Sequence, residues 1–161
     1  MIGVAGGGAL AAAIDLKSRR VPNWLTLGIT ILGLTLAATH LSGLSLLSAL
    51  AGLGLGLAVM LPAHVIGATG AGDVKLLASL GTLLGPKAIV LAFVYTAIAG
   101  GVLALTVAVL RRTLHVTVER TAALVRTRGA NVAEIEQAPN NNRFAYAPAI
   151  AIGALVAALG F

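Results

Sequence analysis

The chain contains no cysteine and very few acidic residues. Without cysteine, disulfides, thiol catalysis and Cys-ligated zinc sites are excluded. Only five of the 161 residues are Asp or Glu, 10% are charged and 4% are aromatic. In a typical soluble domain about a quarter of the residues are charged, so this composition excludes an ordinary soluble domain.

Apolar residues, by contrast, make up 58% of the chain and occur in long blocks. The mean hydropathy is +1.00, which indicates that the protein lies in lipid and not in water. Because one membrane-spanning helix needs about 20 residues, the chain has room for about six spans. We therefore predict an all-α, polytopic membrane protein in which residues 1–161 form a single domain.

The breaks between the apolar blocks predict where these spans lie. Their approximate bounds are 1–16, 24–39, 44–67, 73–85, 87–110 and 144–161, with a polar cytoplasmic loop over 111–143. Leu114, Val118 and Val125 form a weak apolar stripe that predicts an interfacial helix in this loop, and residues 131–142 are predicted to be a mobile loop. In the third span, Gly52 and Gly56 have the GxxxG spacing that lets two helices approach closely.

The basic residues predict the orientation of the spans. This layout places ten of the eleven Lys and Arg residues on one side of the membrane and leaves only Lys87 on the other. The positive-inside rule then puts both termini on the outer, periplasmic side. The same short basic clusters explain the net charge of +6 better than a nucleic-acid surface does, so we expect the lipid bilayer, and no nucleic acid, as a partner.

The segment Gly70-Ala-Gly-Asp-Val-Lys75 places a carboxylate, Asp73, between two apolar runs. A charged side chain at membrane depth is costly, so such a residue is a functional candidate. Only about 18 Å of helix lies between Asp73 and the break at Gly85-Pro86, which is too short to cross the bilayer. The helix is therefore expected to start below the membrane surface, on a loop in which Gly70 and Gly72 permit unusual backbone angles and the close approach of other groups.

A second carboxylate, Asp15, ends the first span at a similar depth on the cytoplasmic side. Two neighbouring carboxylates share a proton, because both cannot easily ionise. The ionised one can take a proton from water while the protonated one polarises a carbonyl oxygen, which suffices for peptide hydrolysis. Helix dipoles favour Asp73 as the base and Asp15 as the acid.

Each carboxylate also has a purely structural interpretation. Asp15 is followed by Lys17, Arg19 and Arg20, and an aspartate in that setting is often an interfacial residue that reaches toward water. Asp73 follows a glycine turn and would suit a helix cap. Because these are the only acidic residues inside predicted spans, we favour a catalytic pair.

Three further polar residues have two interpretations each. Lys75 is either an interface anchor or a group that tunes the pair, and Asn23 either bonds to the active-site loop or caps the second helix. His64 lies at a similar depth and would be a metal ligand with the two aspartates, but a lone His in a span more often bonds to another helix. We expect no metal and no cofactor.

Two segments of the chain resemble the signature segments of the type IV prepilin peptidases. They are Asp15-Leu-Lys-Ser-Arg-Arg-Val-Pro-Asn-Trp-Leu-Thr26 and Gly70-Ala-Gly-Asp-Val-Lys-Leu-Leu77, in this order, and the closing segment from Phe144 to Ala151 extends the likeness. The resemblance implies an aspartic protease of the bacterial cytoplasmic membrane, with Asp15 and Asp73 as its catalytic residues. Its implied substrates are prepilins or pseudopilins, which lose a short basic leader on the cytoplasmic side.

The small size of the chain is similar to that of the peptidases of Flp-type, tight-adherence pilus systems. Larger bifunctional relatives have an additional cytoplasmic region, often with paired cysteines, associated with methylation of the new amino terminus. This chain has neither the region nor the cysteines. We therefore expect cleavage without methyltransferase activity.

Two other functions compete with this one. Intramembrane proteases of the presenilin and signal-peptide-peptidase type share GxGD, but they have a Tyr-Asp pair and a Pro-Ala-Leu motif. Here Ile14 precedes Asp15, and Ile150 follows Pro148-Ala149. A small transporter would use Asp15 and Asp73 as a proton or cation site, although the chain shows no repeated half with matching broken helices.

Overall fold

A computed structural model describes residues 2–18, 20–66, 69–110 and 146–160, together with the isolated Ala122. The helices are α1 (Ile2–Ser18), α2 (Asn23–Ala38), α3 (Leu46–Val65), α4 (Ala71–Leu110) and α5 (Ala147–Leu159). These ranges contain no strand, which confirms the predicted all-α class for the part of the chain described. Arg19, the interfacial helix and mobile loop predicted within 111–143, and residues 144–145 and 161 of the closing span lie outside the described residues.

Helix α4 is interrupted at Gly85, as the Gly85-Pro86 pair predicted. Gly85 has φ 76° and ψ 177°, a combination that is essentially restricted to glycine. Pro86 follows it and has no backbone N–H to continue the preceding helix. The interruption divides α4 into two arms, α4a (residues 71–84) and α4b (residues 86–110).

The two arms of α4 run in opposite directions. At the start of α4a, Gly72 lies beside Val21, and Asp73 is close enough to Tyr146 for its charge to act there. In α4b, Gly100 packs against the ring of the same Tyr146. Since Gly100 follows Gly85 by 15 residues, about 22 Å of helix brings α4b back to the level of Asp73.

Helix α1 packs antiparallel to both α5 and α4a. Gly8 of α1 lies against Ala151 of α5, and Asp15, further along α1, meets Ala147 at the start of α5. In the same way, Gly3 of α1 lies near Leu83, close to the end of α4a. The start of α5 and the start of α4a therefore both lie at the end of the bundle where α1 finishes.

Helix α4a forms the centre of the bundle. Every residue from 76 to 82 is buried, so the helix is covered on all sides. Leu76, Leu77 and Leu80 are fully buried, and the surrounding core includes Met60 and Ile150. The position of Asp73 is therefore fixed by the most deeply packed helix of the protein.

Helices α3 and α4a approach each other closely through glycines, as the GxxxG spacing predicted. A Cβ at Gly52 would overlap the carbonyl oxygen of Gly81, and one at Gly56 would lie 2.8 Å from the Cα of Ala78. Backbone-to-backbone packing of this kind is typical of membrane helices.

Two of the described helices are long and apolar enough to cross a membrane, judged by length and composition. They are Leu46–Val65 and Ala71–Val107, the second of which includes the Gly85 bend. Helices α2 and α5 are shorter but also apolar. Large apolar side chains such as Leu47, Val65 and Ile98 are exposed on the outer surface of the bundle, which suits contact with lipid.

Candidate active site

Asp73 lies in the first turn of α4a, where it takes part in a reciprocal cap. Its backbone N–H donates to the carbonyl oxygen of Gly70 over 3.1 Å, and the N–H of Gly70 donates to Oδ2 of Asp73 over 3.2 Å. This pattern stabilises the start of a helix and orients the acidic side chain toward it. The helix begins at Ala71, two residues earlier than predicted, so Asp73 is its third residue.

Of the two reasons for expecting glycine at positions 70 and 72, the structure shows the close approach of other groups and not the unusual backbone angles. Neither glycine has the positive φ angle that would require glycine. What both positions need is space: a Cβ at Gly70 would lie 3.2 Å from Oδ2 of Asp73, and one at Gly72 would lie 3.3 Å from the Cβ of Val21. The absence of a side chain at Gly72 thus lets the start of α4a pack against the segment that links α1 to α2.

Asp15 is buried near the end of α1, with 4% of its surface exposed. Its Oδ2 accepts a hydrogen bond of 3.1 Å from the backbone N–H of Ala147, the first residue of α5. Tyr146, the residue before α5, makes no side-chain cap, so Asp15 caps this helix from another part of the chain. Such burial does not fit an interfacial residue that reaches toward water.

The structure brings the two predicted carboxylates into one neighbourhood. Asp15 contacts the start of α5, and Asp73 lies in the first turn of α4a at the same end of the bundle. Each also accepts a backbone N–H at the start of a helix, Asp73 from Gly70 and Asp15 from Ala147. Because both face the positive end of a helix dipole, the dipole argument that made Asp73 the base and Asp15 the acid loses its basis.

Lys75 and Asn23 form a contact between the starts of two helices. The Nζ atom of Lys75 donates to Oδ1 of Asn23 over 3.0 Å, and both side chains are exposed. Pro22, not Asn23, occupies the capping position of α2, and it makes no side-chain cap. Of the two roles expected for Asn23, the structure therefore favours a link to the segment from Gly70 to Lys75 over a cap of α2.

His64 is bonded to the loop that precedes Gly70. Its Nδ1 donates to the carbonyl oxygen of Thr69 over 2.9 Å, which ties the end of α3 to this loop. The sequence had suggested a bond from His64 to another helix. The partner is instead a carbonyl group of the loop. Among the residues that the structure describes, no group of three His, Cys, Asp or Glu side chains has the geometry to hold a metal ion.

The sequence did not single out the start of α5 as part of the site. Ala147 holds Asp15, and the ring of the neighbouring Tyr146 packs on Gly100. A helix start with Pro148 in its first turn was a visible local signal. Its approach to Asp15, 132 positions away, depends on the tertiary fold.

Comparison with protein families identifies the group to which the chain belongs. The model of the type IV leader peptidase family matches residues 3–105. The chain is a member of that family. Neither curated proteins nor solved structures show a significant match.

Membership of the type IV leader peptidase family makes the chain a protease of the prepilin peptidase type, and its apolar helices agree with a membrane protein. The matched residues include both Asp15 and Asp73. They end within α4b, so α5 lies beyond the match and its contacts with the site are seen only in the structure.

Proposed function

We propose that this leader peptidase family member is an aspartic endopeptidase that removes the short basic leader from type IV prepilins or pseudopilins. One observation carries the proposal. Asp15, buried on α1, and Asp73, in the first turn of α4a, lie at the same end of the helix bundle although 58 positions separate them, and each accepts a backbone N–H at the start of a helix.

The chemistry requires the two carboxylates to hold one proton between them. The ionised carboxylate takes a proton from a water molecule while the water oxygen attacks the scissile carbonyl carbon. The protonated carboxyl group donates its proton to the carbonyl oxygen, which gives a tetrahedral diol. The first carboxyl group, now protonated, gives its proton to the leaving amine as the C–N bond breaks, and the second carboxylate takes a proton back from the diol. The leader is released with a new carboxyl terminus, and the pair again holds one proton.

The hydrogen bonds at the site support this use of the carboxylates. The Gly70 N–H engages Oδ2 of Asp73, and the Ala147 N–H engages Oδ2 of Asp15. The second oxygen of each carboxylate takes no part in these two contacts. Each side chain is thus oriented by the backbone through one oxygen while the other can face water or substrate.

We further propose that the protein crosses the bacterial cytoplasmic membrane six times, with both termini on the periplasmic side. Because α4a has only about 21 Å of helix, its start would lie below the cytoplasmic surface, and Asp73 with it. A prepilin would enter as an apolar helix whose leader lies in the cytoplasm. Its scissile bond would then arrive at the depth of Asp15 and Asp73.

The proposal includes a role in Flp-type pilus biogenesis and cleavage without methylation. The chain has no cysteine, whereas the larger bifunctional relatives often have paired cysteines in the region associated with methylation, and this supports the second point. The mass of the mature pilin tests the second one. A cleaved product with an unmodified amino terminus is expected, and a mass increase of one methyl group would contradict it.

Co-expression with a prepilin that has a basic leader followed by an apolar helix tests the proposed activity. We expect the natural chain to remove the leader, and Asp15→Asn and Asp73→Asn each to leave it in place. Cleavage within the apolar helix would indicate an intramembrane protease of the presenilin type. Proton flux into liposomes that Asp73→Asn abolishes, with no leader removal by the natural chain, would indicate a transporter.

A further inference from the structure

The first turn of α5 lies against the proposed site. The Ala147 N–H donates to Oδ2 of Asp15, and Tyr146 is the residue directly before Ala147. Tyr146 is partly buried and makes no side-chain cap for its own helix. Its ring packs instead on α4b, over Gly100.

Gly100 provides a recess that fits this ring. A Cβ at Gly100 would lie 2.7 Å from the phenol oxygen of Tyr146 and 2.8 Å from its Cζ atom. These distances are too short for any side chain without displacement of the ring. The next residue, Gly101, offers a contrast, since a Cβ there would meet no atom within 4 Å.

We propose that Tyr146 is a positioning residue and that its seat on Gly100 fixes the first turn of α5 relative to Asp73. The proposal rests on the proposed function. Ala147 follows Tyr146 directly, so a shift of the ring moves the N–H that holds Asp15. Through this chain of contacts, α4b sets the distance and orientation between the two carboxylates.

The structural alternative is that Tyr146 only fills space between α4b and α5. In that case, changing the contact would lower the amount of folded protein but not the turnover of the protein that folds. A positioning role predicts that the turnover of the folded protein falls. Small displacements of catalytic groups cost up to about 100-fold in rate, with little effect on substrate binding.

The test uses the full-length protein in liposomes, with a prepilin that carries a basic leader as substrate. We expect Gly100→Ala to lower kcat about 10- to 100-fold at nearly unchanged KM. It should also alter the pH profile of kcat, because the two carboxylates titrate as a pair. Gly101→Ala is the matched control and should leave kcat, KM and the pH profile as in the natural chain.

Substitutions at Tyr146 show whether the ring transmits the effect. Tyr146→Phe keeps the ring and should retain kcat within about threefold, whereas Tyr146→Ala should lower kcat as Gly100→Ala does. The double variant Gly100→Ala/Tyr146→Ala should be no worse than Tyr146→Ala alone, because no ring is left to displace.

Two results would overturn the inference. One is a Gly100→Ala variant whose kcat and pH profile equal those of Gly101→Ala, and the other is a double variant whose losses multiply. Both leave the proposed function intact as long as Asp15→Asn and Asp73→Asn are inactive. Full activity of the two aspartate variants would instead reject the proposed function. Should Gly100→Ala fail to fold, the comparison of Tyr146→Phe with Tyr146→Ala decides the question, and equal kcat values would overturn the inference.

Discussion

The backbone N–H of Ala147 donates to Oδ2 of Asp15 over 3.1 Å and so joins the start of the last helix to the end of the first. Asp73 accepts the N–H of Gly70 in a similar way. Each aspartate is therefore also a helix cap. Because each aspartate has a structural role as a cap and a proposed chemical role, substitutions that keep the cap can separate the two.

Asparagine at position 15 should preserve the cap and abolish the chemistry. The amide oxygen of Asp15→Asn can still accept the Ala147 N–H, whereas Asp15→Ala leaves this donor without its partner. We expect Asp15→Asn to unfold near the temperature of the natural chain, and Asp15→Ala to lose about 1 kcal/mol of stability. Neither should remove the leader. Thermal unfolding in detergent, measured beside cleavage, checks this, and a strongly destabilised Asp15→Asn would argue against the cap.

The contact between Lys75 and Asn23 should contribute modestly to stability. Because the contact is exposed, we expect Lys75→Ala and Asn23→Ala each to cost about 1 kcal/mol or less. The double variant should be no less stable than the less stable of the two single variants, since each single substitution already removes the same hydrogen bond. Lys87→Ala, which removes an exposed lysine from α4b, is the control for loss of charge. Fully additive losses in thermal unfolding would show that the contact is absent in the membrane.

The close approach of α3 and α4a predicts opposite effects for two glycines on one helix. A Cβ at Gly52 would overlap the carbonyl oxygen of Gly81, so Gly52→Ala should lower stability by about 1–3 kcal/mol. A Cβ at Gly54 would meet nothing within 4 Å, so Gly54→Ala should be neutral or slightly stabilising through its higher helix propensity. The unfolding midpoints in detergent measure the difference, and equal midpoints would refute the packing.

The absence of cysteine allows the proposed orientation to be tested with single labelled positions. Leu41 is exposed in the turn between α2 and α3, and Ser18 is exposed at the end of α1. A membrane-impermeant maleimide should label Leu41→Cys in intact spheroplasts and Ser18→Cys only after lysis. The reverse pattern would place both termini in the cytoplasm.

The features that the sequence predicted correctly depend on local composition. The break at Gly85 follows from a Gly-Pro pair, and the close approach of α3 follows from the spacing of Gly52 and Gly56. At Gly70 and Gly72 only one of the two expected reasons for glycine applies. Their value lies in the side chains and backbone that pack against them, and backbone angles do not enter.

The features that the sequence could not predict depend on contacts between distant segments. Nothing near Asp15 in the chain indicates that Ala147 would donate to it, or that Gly100 would receive the ring of Tyr146. The same contacts removed the basis for distinguishing the two aspartates by helix dipoles. From the sequence, each aspartate can be assigned only to its own helix, and the second helix start near Asp15 is not predictable.

In the proposed mechanism, Asp15 and Asp73 act as one catalytic unit. The most direct test measures the rate of leader removal in liposomes for the natural chain, Asp15→Asn, Asp73→Asn and the double variant, at equal amounts of folded protein. We expect both single variants to fall to background and the double variant to fall no further, because residues that act as a unit do not contribute additively. Substantial leader removal by either single variant would contradict the account.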